Sequence, residues 1–413
     1  MILILIACAA GFYTAFGIGS NDGANSMAVA VGSRAIQAFR AVLLAAVCEL
    51  AGSVLVGSHV SNTVRKGIID VHAFVGAPQF LAYGMLCALL ATAVWLHFAS
   101  LLGMPVSTTH SVVGAIFGFG LLWAGAQNVQ WGTMVKIVAS WIISPIAGGI
   151  MAFTFFKLIS RQILGRARPM RAALFGAPFW VFVTFAAVTL ATILKGLKHL
   201  HLDISAKDAL LGSALVGLTA AGVATVLVRR FVERNGSLAY DEQLLAVERI
   251  FSPLVIITSC SVAFAHGAND VANAVGPLAA VVEIVQTHQV PHKVGIDLWV
   301  LFLGGGGIAV GLVILGHRVI RTMGMNITDL TPSRGIAADI ATCIAVLAFS
   351  RLGIPISTTH TSVGSIIGVG MARGITGINL RVINSIFISW IGTIPFTAGL
   401  TILFYWIAKA LFL

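Results

Sequence analysis

Charge is scarce in this chain. Only 9% of its 413 residues are charged, where a soluble domain carries roughly 25%. Acidic residues are the rarer kind, 14 Asp and Glu against 25 Lys and Arg. The five cysteines (Cys8, Cys48, Cys87, Cys260, Cys343) are scattered through apolar stretches with no CxxC and no Cys/His spacing, so neither zinc nor a disulfide framework is indicated. There is no HExxH phrase and no nucleophile set beside a base, which argues against a membrane-embedded phosphotransferase. The apolar start "MILILIACAAG" has no basic residues before it and reads as a first membrane segment rather than a signal peptide. No basic stripe is interleaved with aromatics, so the net charge of +11 does not point to nucleic acid. The basic residues sit in short loops, where positive charge fixes orientation in a bilayer.

What remains is apolar. Hydrophobic residues make up 58% of the chain, and the mean hydropathy is +0.99. A membrane helix needs about 20 apolar residues. By that measure the chain is an all-α polytopic membrane protein with about twelve segments. Five lie in the first half, near 1–19, 38–58, 78–102, 105–125 and 133–160. Five more lie near 251–266, 298–316, 335–351, 355–372 and 382–412. Two others, near 173–195 and 208–228, fall between them. The expected division is a first repeat over 1–160, a two-helix insert with basic loops over 161–250, and a second repeat over 251–413. An odd number of crossings per repeat, with two helices between, makes the second repeat inverted. Arg161, Arg166, Arg168 and Arg171 fall on the same face as Arg229, Arg230, Arg234 and Arg249, which is taken as cytoplasmic. Lys195, Lys198 and Lys207 dissent from the opposite face, and both termini are expected outside. The polar stretch Arg229–Arg249 reads as a solvated helix or loop.

Two polar phrases interrupt this background, and each occurs twice in the same order. "GSNDGANSMAVAVG" at Gly19–Gly32 returns as "HGANDVANAVG" at His266–Gly276, and "GMPVSTTHSVVGAIFG" at Gly103–Gly118 returns as "GIPISTTHTSVGSIIG" at Gly353–Gly368. Asn21 precedes Ser107 by 86 residues, and Asn269 precedes Ser357 by 88. Membrane transporters are commonly two related halves that hold substrate between broken helices.

In the first phrase Asn21 and Asn25 share a helix face beside Asp22, and Asn269, Asp270 and Asn273 repeat the arrangement. The flanking glycines suggest helix interruptions at membrane depth. An intramembrane aspartate is a functional candidate by default. In the second phrase Pro105 and Pro355 precede the hydroxyl runs Ser107-Thr108-Thr109 and Ser357-Thr358-Thr359. Proline breaks the preceding helix and Ser or Thr caps the next, so each run marks a helix start that presents free N–H groups to an anion. His110 and His360 read as structural hydrogen-bond partners. An anion beside Asp22 and Asp270 would be repelled by roughly 4 kcal/mol per pair at 4 Å and an effective dielectric of 20. Cations or protons must therefore bind with it, and carboxylate and amide oxygens are ligands that hard cations prefer. The sequence thus predicts symport. An anion channel would instead favour rings of Lys or Arg. Glu49 in "CELAGS" and Asp339 in "GIAADIATC" stand alone among apolar residues as further cation or proton sites, or as helix–helix hydrogen bonds.

These doubled phrases resemble those of the inorganic phosphate transporter (PiT) family, whose GANDVANA-type phrase and P-[VI]-S-T-T-H phrase are each matched twice, over essentially the whole length. The first copy departs from the pattern at Ser20, Gly23 and Met27. The resemblance implies cotransport of inorganic phosphate, with no enzyme activity and no cofactor beyond coupling ions. It places phosphate at Asp22, Asn25, Ser107, Thr108, Thr109, Asp270, Asn273, Ser357, Thr358 and Thr359. Sodium falls to Asn21, Asp22, Asn269 and Asp270, with Glu49 and Asp339 at the positions of the family's membrane glutamates. Asp339 is shorter than the glutamate it replaces. The wording is closer to the sodium branch, and proton-coupled phosphate or sulfate uptake is the runner-up. The expected setting is a plasma or bacterial inner membrane, with the lipid bilayer as partner. A homodimer is compatible with the resemblance, though no interface is legible in the chain.

Overall fold

The computed structural model describes residues 2–57, 68, 74–123, 125–196, 204–235, 238–290, 295–351 and 356–412; Lys198, Gly353 and Pro355 lie outside them. Among the described residues the chain forms twelve long helices and no strand. In chain order these are α1 (Ile2–Gly32), α2 (Ala38–Val56), α3 (Pro78–Leu101), α4 (Thr108–Trp123), α5 (Trp131–Leu164) and α6 (Pro169–Leu194). The others are α7 (Ala206–Asn235), α8 (Tyr240–Thr287), α9 (Leu298–Asn326), α10 (Pro332–Arg351), α11 (Thr358–Met371) and α12 (Leu380–Phe412). Ten are long and apolar enough to cross a membrane. The exceptions, α4 with 16 residues and α11 with 14, reach only about 24 and 21 Å, short of the roughly 30 Å hydrocarbon layer.

The short helices are the return arms of two hairpins. α3 runs parallel to α1, with Thr14 Oγ1 donating to Leu89 O at 2.9 Å and Ser20 meeting Ser100 at 2.9 Å. Gly103, at φ +64°, then turns the chain, and α4 retraces α3 until Trp123 stacks on Phe80 with centroids 4.2 Å apart. Likewise α11 returns along α10, where Thr342 donates to Ser365 Oγ at 3.0 Å. Each hairpin therefore enters and leaves on one side, with its tip at the level of the polar phrases. Counting a hairpin as no crossing leaves three crossings per repeat, still odd, so the inversion survives.

That inversion is visible in the packing. α1 and α8 cross antiparallel: Gly11 lies against Leu278, and Gly23 lies near His266. Two glycine-mediated crossings repeat the same contact. On one side, a Cβ on Gly19 or Gly311 would collide with the carbonyl of Ile308 or Phe16, between α1 and α9. On the other, Gly267 and Gly52 meet the carbonyls of Glu49 and Phe264, between α8 and α2. Hence α9 is the counterpart of α2, Ile308 of Glu49, and Ile18 of His266.

The helices do not break where the sequence suggested. Segments expected to end near 19 and 266 run on through both Asn-Asp phrases. In the first copy the helix only widens, to a single π-helical turn at Gly19–Gly23; in the second, α8 continues unbroken for 48 residues. The polar side chains bond within their own helix (Ser20 to Gly17 O at 2.9 Å, Ser26 to Gly23 O at 2.7 Å) and so do not compete with the backbone ladder. The discontinuities lie at the hairpin tips. The polar stretch Arg229–Arg249 is mostly helical, shared between the end of α7 and the start of α8, with exposed Arg229 3.0 Å from Glu233. Tyr240 Oη donates to Leu164 O at 3.1 Å, which places the α5–α6 and α7–α8 arginine loops at the same end of the molecule.

Candidate functional site

Four structural parts meet at one buried point: α1, α8 and the two hairpin tips. Asn21 anchors the first tip. Its Nδ2 donates to Met104 O at 2.9 Å and Ser100 Oγ at 3.2 Å, while its Oδ1 accepts from Val106 N at 2.9 Å. Asn21, read from the sequence as a cation ligand, is thus committed to holding the tip, because an extended segment at this depth must have its backbone groups satisfied by protein.

Asp22, next along the π-helical turn, joins both tips. Its Oδ2 accepts from Thr108 N at 3.0 Å, at the start of α4. Its Oδ1 accepts from Thr359 Oγ1 of the second tip and from Asn25 Nδ2 at 3.2 Å. Asn25 Nδ2 also reaches Thr359 Oγ1 at 3.1 Å, while its buried Oδ1 has no partner among the described residues. Asp22 is 4% exposed, so this is a carboxylate held by the amino-terminal ends of two helices, where N–H groups and the helix dipole favour an anion.

The serines of the doubled phrase do the capping. Ser107 Oγ accepts from His110 N at 3.3 Å and Ser357 Oγ from His360 N at 3.2 Å. Thr109 and Thr358 are half-buried at the tips. The symmetry is imperfect: a backbone N–H of Thr108 meets Asp22 from one tip, and the hydroxyl of Thr359, the counterpart of Thr109, meets it from the other. His110 and His360 pack edge to face, centroids 4.5 Å apart, with His360 stacked 3.6 Å from Trp390. Trp390 Nε1 donates to Pro105 O at 3.0 Å, so α12 braces the first tip.

Across from Asp22, α8 carries the second copy. Asp270 Oδ1 accepts from Asn269 Nδ2 at 3.0 Å and Asn273 Nδ2 at 3.2 Å. Its Oδ2 lies 2.8 Å from His266 Nε2, and His266 Nδ1 lies 2.8 Å from Glu49, which is fully buried. Ligand atoms of Asp22, His266 and Asp270 all lie within 4.8 Å of one another. Two carboxylates that close repel strongly in a low dielectric unless positive charge sits between or beside them. The arrangement suits a cation bound together with an anion.

His266 was missed at the sequence level, although a signal existed: it stands four residues before Asp270, where the first copy has Ile18. Asp339, by contrast, stands apart. It accepts from Thr258 Oγ1 at 2.7 Å and Ser259 Oγ at 2.9 Å, about three helical turns along α8 from Asp270. Glu49 is linked to Asp270 through His266, and its carboxylate also lies against Gly23, next to Asp22.

Comparisons with known proteins agree with the fold. Residues 18–401 match the model of the phosphate transporter family. A Haemophilus influenzae protein named as a phosphate permease is 41% identical over 99% of this chain and 97% of its own length. The Arabidopsis thaliana protein named inorganic phosphate transporter 2-1, chloroplastic, is 40% identical over 96% of this chain and 70% of its own. A solved structure titled the sodium-dependent phosphate transporter superposes with a TM-score of 0.88 at 42% identity, covering both chains fully.

Proposed function

The chain belongs to the phosphate transporter family, a family of membrane transporters and not enzymes, and on that premise we propose that it imports inorganic phosphate by sodium-coupled symport, alternating access around Asp22 and Asp270. The observation that carries this reading is Asp22 itself, a carboxylate occupying donors from both hairpin tips. Those donors are the ones an oxyanion needs. While Asp22 carries its full charge it competes with phosphate for them. A sodium ion taken by Asp22, Asp270 and the free Oδ1 of Asn25 offsets that charge, loosens the hold of Asp22 on the tips and attracts phosphate to them. On this reading Thr108, Thr109, Thr359 and Asn273 surround the place the anion takes, with Ser107 and Ser357 fixing the helix starts. Coupling then follows from electrostatics, because each ligand raises the affinity of the other by the same factor. The sodium-dependent title of the superposing structure supports this choice of ion.

Proton-coupled phosphate uptake is the second reading. The chain Glu49–His266–Asp270 favours it, since an imidazole joining two buried carboxylates is the kind of group that relays protons. Labelled-phosphate uptake into proteoliposomes, with sodium and proton gradients imposed separately, decides between them. We expect uptake to need inward sodium and to ignore a proton gradient in choline buffer. Asp22→Asn, which removes the charge but keeps the shape, should flatten the sodium dependence of phosphate binding. Equal uptake in choline would reject sodium, and an unchanged sodium dependence in Asp22→Asn would remove that residue from coupling.

A further inference from the structure

The arginines at the α5–α6 junction have no role in the central site. Arg161, Arg166, Arg168 and Arg171 are all exposed, and none forms an ion pair with a carboxylate among the described residues. α5 ends in a π-helical turn at Ser160–Leu164, and the chain reverses through Gly165 into α6. This reversal leaves a cleft of about 630 Å³, lined by Gln162, Arg166, Arg168, Ala172, Phe175 and Phe179 among others. Ala172, Phe175, Gly176 and Phe179 follow helical spacing and form one stripe of α6. Gly176, itself in the lining, lets Ile163 of α5 pack close against α6. Phe175 is 83% exposed and Phe179 49% exposed.

The cleft therefore has two chemically distinct ends. Two unpaired guanidinium groups stand at the loop end, where the positive charge of the molecule marks the headgroup level of the bilayer. Below them an aromatic and small-residue trough runs down α6 into the depth that hydrocarbon occupies. A small free anion would use the arginines and leave the trough empty. A molecule with an anionic phosphodiester and an attached acyl chain fills both. We propose that this cleft is a binding site for an anionic phospholipid, its phosphodiester between Arg166 and Arg168 and one acyl chain along Ala172, Phe175 and Phe179. Basic pockets beside membrane helices recognise lipid headgroups through this chemistry. The site adjoins the start of α8, since Tyr240 donates to Leu164 O and Gln243 Oε1 accepts from Met170 N at 3.4 Å. A bound lipid would brace the α5–α6 turn against the helix that carries Asp270.

The test is binding of a fluorescent phosphatidylglycerol to the purified full chain in neutral detergent, at saturating phosphate and sodium so that the transport site is filled. Phosphatidylcholine and additional inorganic phosphate serve as competitors. Phosphatidylglycerol should bind saturably, and neither competitor should displace it. The double variant Arg166→Gln/Arg168→Gln should weaken binding about tenfold or more, and Phe175→Ser should weaken it as well. Both variants should keep wild-type phosphate uptake in phosphatidylcholine vesicles, which shows that they fold. Unchanged binding in the double variant would overturn the proposal, as would displacement by phosphatidylcholine. Displacement by inorganic phosphate would make this a free-anion site. Loss of a dimer in the double variant, with lipid binding intact, would assign the cleft to a second copy of the chain.

Discussion

Two residues in matching sequence phrases perform different tasks, and the difference is set by backbone geometry. Thr108 offers its backbone N–H to Asp22 because it is the first residue of α4, whereas Thr359 lies one position further into the second phrase and offers its hydroxyl. The doubled Ser-Thr-Thr phrase was legible as a pair of helix starts, and the serine caps follow from it. Which threonine faces the carboxylate was not legible, because one step along a helix start rotates a side chain by about 100°. Thr359→Val should accordingly lower phosphate affinity at saturating sodium by about tenfold or more, since a hydrogen bond to a charged group is worth about 1.5–3 kcal/mol. Thr358→Val should leave it within about threefold, because this half-buried hydroxyl is not the one that reaches Asp22. Equilibrium binding of labelled phosphate to the two purified variants checks this. Equal losses in both would restore the equivalence that the sequence suggests.

At the level of elements, the hairpins explain how short helices can end inside a membrane. The last turn of α3 and the extended residues up to Ser107 leave backbone groups that lipid cannot satisfy. Asn21 takes two of these groups, Met104 O and Val106 N, Arg318 of α9 donates to Leu101 O at 2.7 Å, and Trp390 takes Pro105 O. Hydropathy located both arms, since α3 and α4 fall at the expected segments 78–102 and 105–125, but it counted each as a crossing. The hairpin shows only in the pairing of Phe80 with Trp123, which a one-dimensional pattern does not carry. The glycines of the Asn-Asp phrase misled in the other direction. Gly19 and Gly267 suggested breaks, yet they serve close helix crossings, at Ile308 and Glu49 respectively. Asn21→Ala should loosen the first tip. It leaves buried groups unpaired, at about 1–3 kcal/mol for each group stranded. The KM for phosphate should rise while Thr359 still holds Asp22 from the second tip. Uptake kinetics, normalised to the amount of inserted protein, measure this; an unchanged KM would show that Arg318 and Trp390 hold the tip without Asn21.

Across the whole molecule, the two repeats share one geometry and differ in charge. The crossing of α1 with α9 sets Gly19, next to Ile18, against the Ile308 backbone, and the equivalent crossing of α8 with α2 places His266 against Glu49. The inversion itself was legible from the doubled phrases and the odd segment count. The asymmetry was not, because it appears only once Glu49 and Ile308 are matched through the glycine contacts. The α1–α9 crossing has isoleucine at both matching positions, Ile18 and Ile308, which supplies a control. The single variant His266→Ile leaves Glu49 buried and uncompensated and should destabilise the protein by about 3–5 kcal/mol. The double variant Glu49→Ile/His266→Ile removes both ionisable groups, and exchanging a buried pair for apolar side chains is often neutral or stabilising. Its melting temperature should therefore return to the wild-type value or exceed it. If the pair exists only to hold the helices together, phosphate uptake should return with stability. The placement of His266 against Asp270 argues for the opposite result. Uptake in the double variant should stay at least tenfold below wild type despite restored folding, because Asp270 has lost the imidazole that links it to Glu49. Thermal melting and proteoliposome uptake on the same preparations separate the two outcomes, and full uptake in the double variant would reduce the charged crossing to packing.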